Sequence, residues 1–191
     1  MLRIVNIEEI QNYLLQVPEL INSVEKRETE FISNLKNWLS GLEKVLHNNN
    51  MSETGNIASY RGILISASRG CIPNEITFYN RLSKRKIIES TATFIIQQSS
   101  NLVSTIIQKD KNRFFEAERL TQQLVTIAKA KGLIKEPLNG NYDTDLLKHI
   151  WKSMSSDKDL SPGVINIEGL IGPYDALIIL NRVITSNKLN I

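Results

Sequence analysis

LLQVPELINSVEKRETEFISNLKNWLSGLEKVL, residues 14–46, decides the fold class. Leu14, Val17, Ile21, Val24, Glu28, Phe31, Leu35, Trp38, Leu42 and Val45 recur here at alternating spacings of three and four. That is the period of one helical face, and every position except Glu28 is apolar. Ile32, Leu39 and Leu46 widen the stripe, as in a helix packed against several others rather than along a narrow two-helix seam. Burying such side chains contributes roughly 1.5–3 kcal/mol each before entropy is subtracted. The pattern predicts an all-α bundle of long amphipathic helices.

Working outward, Pro18 removes an amide donor and clashes with the carbonyl four residues back. Either a short helix ends near Gln16 and a long one follows, or one helix kinks there. Asn6 and Glu9 have the spacing of a capping box, which puts a helix start near Ile7. Asn48, Asn49 and Asn50 close the long element, and a second helix is expected over about 55–69 with Ile57, Tyr60, Leu64 and Ala67 on one face. Ala58, Gly62, Ser66 and Gly70 follow at four-residue spacing, a ridge of small residues suited to close packing against another helix.

Pro73 and Asn74 restart the chain. A helical stretch then covers about 75–131, as one rod or as two separated at 109–112. Its inward positions are Ile88, Ala92, Ile95, Ser99, Leu102 and Ile106, then Ala117, Leu120, Leu124 and Ile127, and Gly132 with Leu133 and Ile134 forms a C-terminal cap. Beyond the turn-like 137–141, Asp143 caps a helix that buries Leu146, Leu147, Ile150, Trp151 and Met154. Ser161, Pro162, Gly163 and Gly169 punctuate a less regular segment, with Val164, Ile165 and Ile167 as a short extended piece. Gly172, Pro173 and Asp175 open a last helix, with Leu177, Ile178, Asn181 and Ile184 inward. The chain reads as a single helical domain over 1–191, with a core bundle over about 6–132 and a less regular C-terminal extension over about 137–191.

A length of 191 residues with 41% hydrophobic and 23% charged residues fits one globular core and disfavours a disordered chain. No stretch approaches the roughly 20 apolar residues of a spanning helix, and Glu8 and Glu9 interrupt any signal-peptide core. Cys71 is the only cysteine, so no internal disulfide can form. A cytoplasmic protein with no membrane association is the expectation. Beside a helix end, Cys71 reads as a small packed apolar group.

Charge is unevenly placed. Residues 51–86 hold Arg61, Arg69, Arg81, Lys84, Arg85 and Lys86 against Glu53 and Glu75, a local +4, whereas 1–50 sum to −2. If the second and third helices form a hairpin, these six cations, with Phe78 and Tyr79 beside them, converge on an anion- or nucleic-acid-binding surface. Four phosphate contacts would give a salt slope of about −3.6 on duplex DNA. Glu28, the polar interruption in the apolar row, is expected to pair with an arginine of this basic segment, because an unpaired buried carboxylate costs several kcal/mol.

Catalytic signals are sparse. His47 sits where an imidazole complements a helix C-terminus. Asp145 and His149 lie four apart on one helical face, a spacing that could orient a general base if a pocket and further polar groups converged there. The run Asn139, Asn141, Asp143, Asp145 fails as a calcium loop, since Leu146 and Lys152 stand where its glycine and glutamate belong. No phosphate-binding loop, nucleotide fingerprint or nucleophile elbow occurs, so no catalytic residue, metal or cofactor is assigned. The expected function is a non-enzymatic helical interaction module that self-associates or joins a larger assembly. The alternative is a nucleic-acid-binding accessory protein that uses the basic segment 61–86.

Overall fold

A computed structural model describes residues 2–71, 83–134 and 142–186. Among the described residues eight helices run in order: α1 (Ile4–Leu15), α2 (Val17–Glu25), α3 (Phe31–Asn48), α4 (Thr54–Ser68), α5 (Lys84–Ala130), α6 (Thr144–Ser156), α7 (Ser161–Ile171) and α8 (Pro173–Ser186). No strand occurs among the described residues. The all-α bundle expected from the 14–46 periodicity is present.

Packing divides the chain into two compact units, one of residues 2 and 4–108, the other of residue 3 and the chain from 109 onward. The boundary between these units falls inside α5. In the first unit α3 is the hub, packing on α1, α2 and α4. It buries Phe31, Leu35, Trp38, Leu39, Leu42, Val45 and Leu46. Trp38 Nε1 donates to the Tyr13 carbonyl at 3.0 Å, which ties α3 to α1. Asn6 does not cap a helix. Since α1 begins at Ile4, Asn6 lies within it and donates from Nδ2 to Oδ1 of Asn49, past the end of α3.

The 14–46 stripe is not one helix. Pro18 lies in the first turn of α2, where its missing donor costs no hydrogen bond. A second break follows Glu25. Arg27 takes the left-handed conformation, φ 57°, and its amide bonds the Val24 carbonyl at 3.1 Å while the Glu28 amide bonds that of Ser23 at 3.1 Å. This double closure is the Schellman turn. Asn50, Gly70 and Gly132 close α3, α4 and α5 in the same way, each with a positive φ.

Lys84 through Ala130 form a single 47-residue helix, roughly 70 Å long at the standard rise. Its buried row in the first unit is Ile87, Thr91, Ala92, Ile95, Ile96, Ser99, Val103 and Ile107. Ile88, Leu102 and Ile106 are only half-buried. The neighbouring pairs Ile87/Ile88 and Ile106/Ile107 permit two registers, and periodicity alone does not choose between them.

In the second unit α6, α7 and α8 pack on one another. Asp143 caps α6 through the Leu146 amide at 2.8 Å. The stretch read as extended, Val164 to Ile167, is helical: Pro162 occupies the first turn of α7, and Val164, Ile167 and Ile171 form its buried row. Gly163 permits this packing, because a Cβ there would stand 2.7 Å from Leu124 Cδ2. Trp151 Nε1 donates to Glu168 Oε1 at 2.7 Å and joins α6 to α7. On α8 the inner row is Ala176, Ile179, Leu180, Val183 and Ile184, so Leu177, Ile178 and Asn181 are half-buried flanks. Asp175, in the first turn of α8, is buried and has Arg3 Nε at 3.7 Å.

Among the described residues no single helix is long and apolar enough to cross a membrane. Together α7 and α8 have the length and composition, but they are bent by 113° and turn their apolar rows into the unit's core.

Candidate functional site

Of the six basic residues singled out, Arg81 lies outside the described residues, as do Glu75, Phe78 and Tyr79. The other five divide. Arg61, midway along α4, is committed to α3: its Nε meets Glu43 Oε2 at 2.9 Å and its Nη2 meets Oε1 at 3.3 Å, a two-point fork. It does not join the rest. The reason is position, because the face of α4 that carries Arg61 packs on α3 whereas Arg69 caps the helix end.

Around that end the remaining cations gather. The closing turn at Gly70 lets the Lys84 stem pass close by, so that a Cβ on Gly70 would lie 3.9 Å from Lys84 Cε. This sets Arg69 and the end of α4 beside the first turn of α5, where Lys84, Arg85 and Lys86 are all exposed. The α2–α3 turn completes the group. Arg27 Nε stands 3.3 Å from Glu89 Oε1, and Arg85 Nε stands 3.0 Å from the same oxygen. One carboxylate thus holds two guanidiniums and leaves the trio with a net positive charge.

Arg27, Lys84 and Arg85 line a cleft of about 490 Å³ together with Phe31, Ile32 and Ile88. Its volume falls in the range of ordinary binding clefts. The chemistry is amphiphilic, with cations at the rim and apolar side chains below. Glu28 also borders the cleft, but among the described residues it pairs with no arginine of the basic segment. It lies in the α2–α3 turn, is exposed, and its Oε2 accepts from Ser23 Oγ at 2.7 Å. Among the described residues the arginine pairing at this place is that of Glu89 with Arg27 and Arg85, while Arg81, also a candidate partner of Glu28, lies outside them.

Arg27 and Glu89 escaped the sequence reading because Arg27 belongs to the net-acidic first quarter and the partners are 62 positions apart. A signal was nevertheless present. Between Val24 and Phe31 runs EKRETE, six consecutive polar residues that no buried helical face tolerates.

The other candidates stay apart. His47 lies exposed in the last turn of α3. Asp145 bonds Lys148 Nζ at 3.3 Å rather than His149, which is exposed. Cys71 is exposed instead of packed, since the Gly70 closure turns the chain out of α4 before it. The small-residue ridge of α4 also faces outward: Gly62 and Ser66 are exposed, and nothing lies within 4 Å of a Cβ at Gly62. No group of three or more metal-ligating side chains is found among the described residues. No protein-family description, curated protein or solved structure matches this chain. What is defined is its structural class, an all-α protein with a cation-rimmed, apolar-floored cleft.

Proposed function

We propose that the chain is a non-enzymatic helical interaction module, and that the cleft of Arg27, Lys84 and Arg85 docks an acidic protein segment bearing apolar anchors. One observation carries this: three cations from two distant pieces of sequence surround a floor of Phe31, Ile32 and Ile88. An acidic amphipathic helix offers both complements at once, apolar side chains at helical spacing for the floor and carboxylates for the rim. Phosphate contacts alone would leave the apolar floor without a partner. Nucleic acid remains the second reading on one ground, the exposure of Arg69 and Lys86 on the flanks of the cleft.

The test is fluorescence anisotropy of the full chain at low and high salt. The probes are a labelled acidic amphipathic peptide of about 15 residues built from Glu, Leu and Phe, and labelled single-stranded and duplex oligonucleotides. The peptide should bind. Lys84→Glu with Arg85→Glu should weaken it by about tenfold or more, whereas Arg61→Ala should change it little, because that side chain is held by Glu43. Preferential binding of the oligonucleotides would move the function to nucleic acid, and no binding of any probe at low salt would end both readings. Concentration-dependent mass in sedimentation that vanishes in the double variant would identify the partner as a second copy of the chain.

A further inference from the structure

A second cavity in the first unit has the opposite character. It measures about 500 Å³, and its wall includes Tyr13, Trp38, Glu19, Glu28, Asn34 and Asn37, with no lysine or arginine among the described lining residues. The geometry points to a binding site for a small aliphatic polyamine.

Three features converge on that chemistry. The first is an aromatic corner: the Tyr13 and Trp38 rings meet at 62° with centroids 6.4 Å apart, an edge-to-face pair rather than a closed stack. The corner is fixed, since Trp38 donates to the Tyr13 carbonyl. Gly41 leaves room for the phenol, because a Cβ there would stand 2.6 Å from the Tyr13 hydroxyl oxygen. Aromatic walls attract ammonium groups and cover methylene chains. Burial, and secondarily the Glu9 carboxylate, raises the Tyr13 pKa above its ordinary value, so the ring remains a neutral phenol through the physiological range.

The second feature is the placement of charge. Glu19 lies in the first turn of α2 and Glu28 just past its end, so helical rise separates their backbones by on the order of 10 Å. A carboxylate at each end of a short helix suits a ligand with a cation at each end. Ser23 Oγ donates to Oε2 of Glu28 at 2.7 Å. The third feature is the supply of side-chain amides: Asn34 and Asn37, one turn apart on α3, present carbonyl oxygens that can accept from ammonium groups. Acceptors, negative charge and the half-buried Tyr13 ring line one space, with the 4% exposed Trp38 holding that ring in place from behind.

This site shares Glu28 with the rim of the docking cleft, but its test does not rest on that cleft's proposed function. It is tested by titrating the full chain with spermidine, with putrescine and with magnesium chloride as an inorganic dication, following heat and tryptophan fluorescence. Spermidine should bind saturably with a dissociation constant below about 1 mM, more tightly than putrescine, because it spans the two carboxylates better. Glu19→Gln combined with Glu28→Gln should weaken spermidine about tenfold or more. Glu25→Gln, an exposed change on α2 outside the cavity, should leave it within about twofold. Absence of saturation by spermidine at about 10 mM, equal displacement by magnesium, or an equal loss in Glu25→Gln would each overturn the assignment. These exposed carboxylates can be neutralised without opening the core, so the outcome does not hinge on a core variant folding.

Discussion

The same substitution should act with opposite sign at two glycines of the first unit. Gly62 lies inside α4, exposed, with nothing within 4 Å of a Cβ. Alanine there restricts the unfolded chain and improves helix propensity, a gain of about 0.8–1 kcal/mol. Gly41 lies inside α3 and would collect the same gain, but its Cβ would meet the Tyr13 hydroxyl oxygen at 2.6 Å and two ring carbons at 3.0 and 3.2 Å. The phenol must then swing away from a ring already packed on Trp38, and overpacking of this kind costs about 1–3 kcal/mol. Subtracting the propensity gain leaves Gly41→Ala destabilised by about 1 kcal/mol, some 2 kcal/mol below Gly62→Ala. Urea titration followed by Trp38 fluorescence in a Trp151→Phe background reads the unit that holds both glycines. Equal midpoints for the two alanine variants would refute the described Tyr13–Gly41 packing. A loss in Gly62→Ala would mean that another helix, from a partner or a second copy, covers the α4 ridge.

Asn50 closes α3 at φ 53°, so Asn50→Gly should raise stability by about 0.5–1 kcal/mol, or roughly 1–4 °C in melting temperature. Trp151 loses its half-buried acceptor in Glu168→Ala, which should cost about 1–2 kcal/mol in thermal unfolding, whereas Glu168→Gln, which keeps an acceptor oxygen, should retain most of it. Lys131 holds Asp157, at 2.7 Å, and Asp159. The Lys131 hydrogen bond, first, lowers the Asp157 pKa below its ordinary 3.8, so that stabilisation is present above 3.8 and is lost as pH falls through the lower folded value. Hydrogen bonds to Asp157 and then Asp159 raise the Lys131 pKa above its ordinary 10.5, so the same link is complete below 10.5 and is lost as pH rises through the higher folded value. The urea-midpoint gap between wild type and Lys131→Met should therefore be present near neutral pH and close toward both extremes. A gap independent of pH would refute the link.

Legibility followed the range of the interactions involved. Asp143 as a cap, Gly132 as a closing residue and the apolar face of α4 are local, and each is written in adjacent residues. The break after Glu25 was obscured because Arg27 fills a left-handed position where glycine is the usual mark. Helix α7 was obscured differently. Pro162 and Gly163 read as punctuation until proline is placed in a first turn and glycine against Leu124, and the second of these is a tertiary fact. The cleft was half legible: Lys84, Arg85 and Lys86 stand together in sequence, but Arg27 and Glu89 meet only through the fold. The aromatic cavity left no mark, since Trp38 read simply as one position of the apolar stripe and Tyr13 lies outside that stripe.

The division within α5 has a bearing on biosynthesis. Everything in the first unit precedes residue 109, so a ribosome finishes that unit's sequence before it makes the second, residue 3 apart. Chains are made at about 5–20 residues per second, slowly beside the folding of helical domains. The first unit can therefore settle during translation, with the leading half of α5 already seated and its last turn acting as the nucleus from which the remaining turns propagate as they emerge. Elongating an existing helix avoids the unfavourable nucleation step that a separate helix at 109–130 would face.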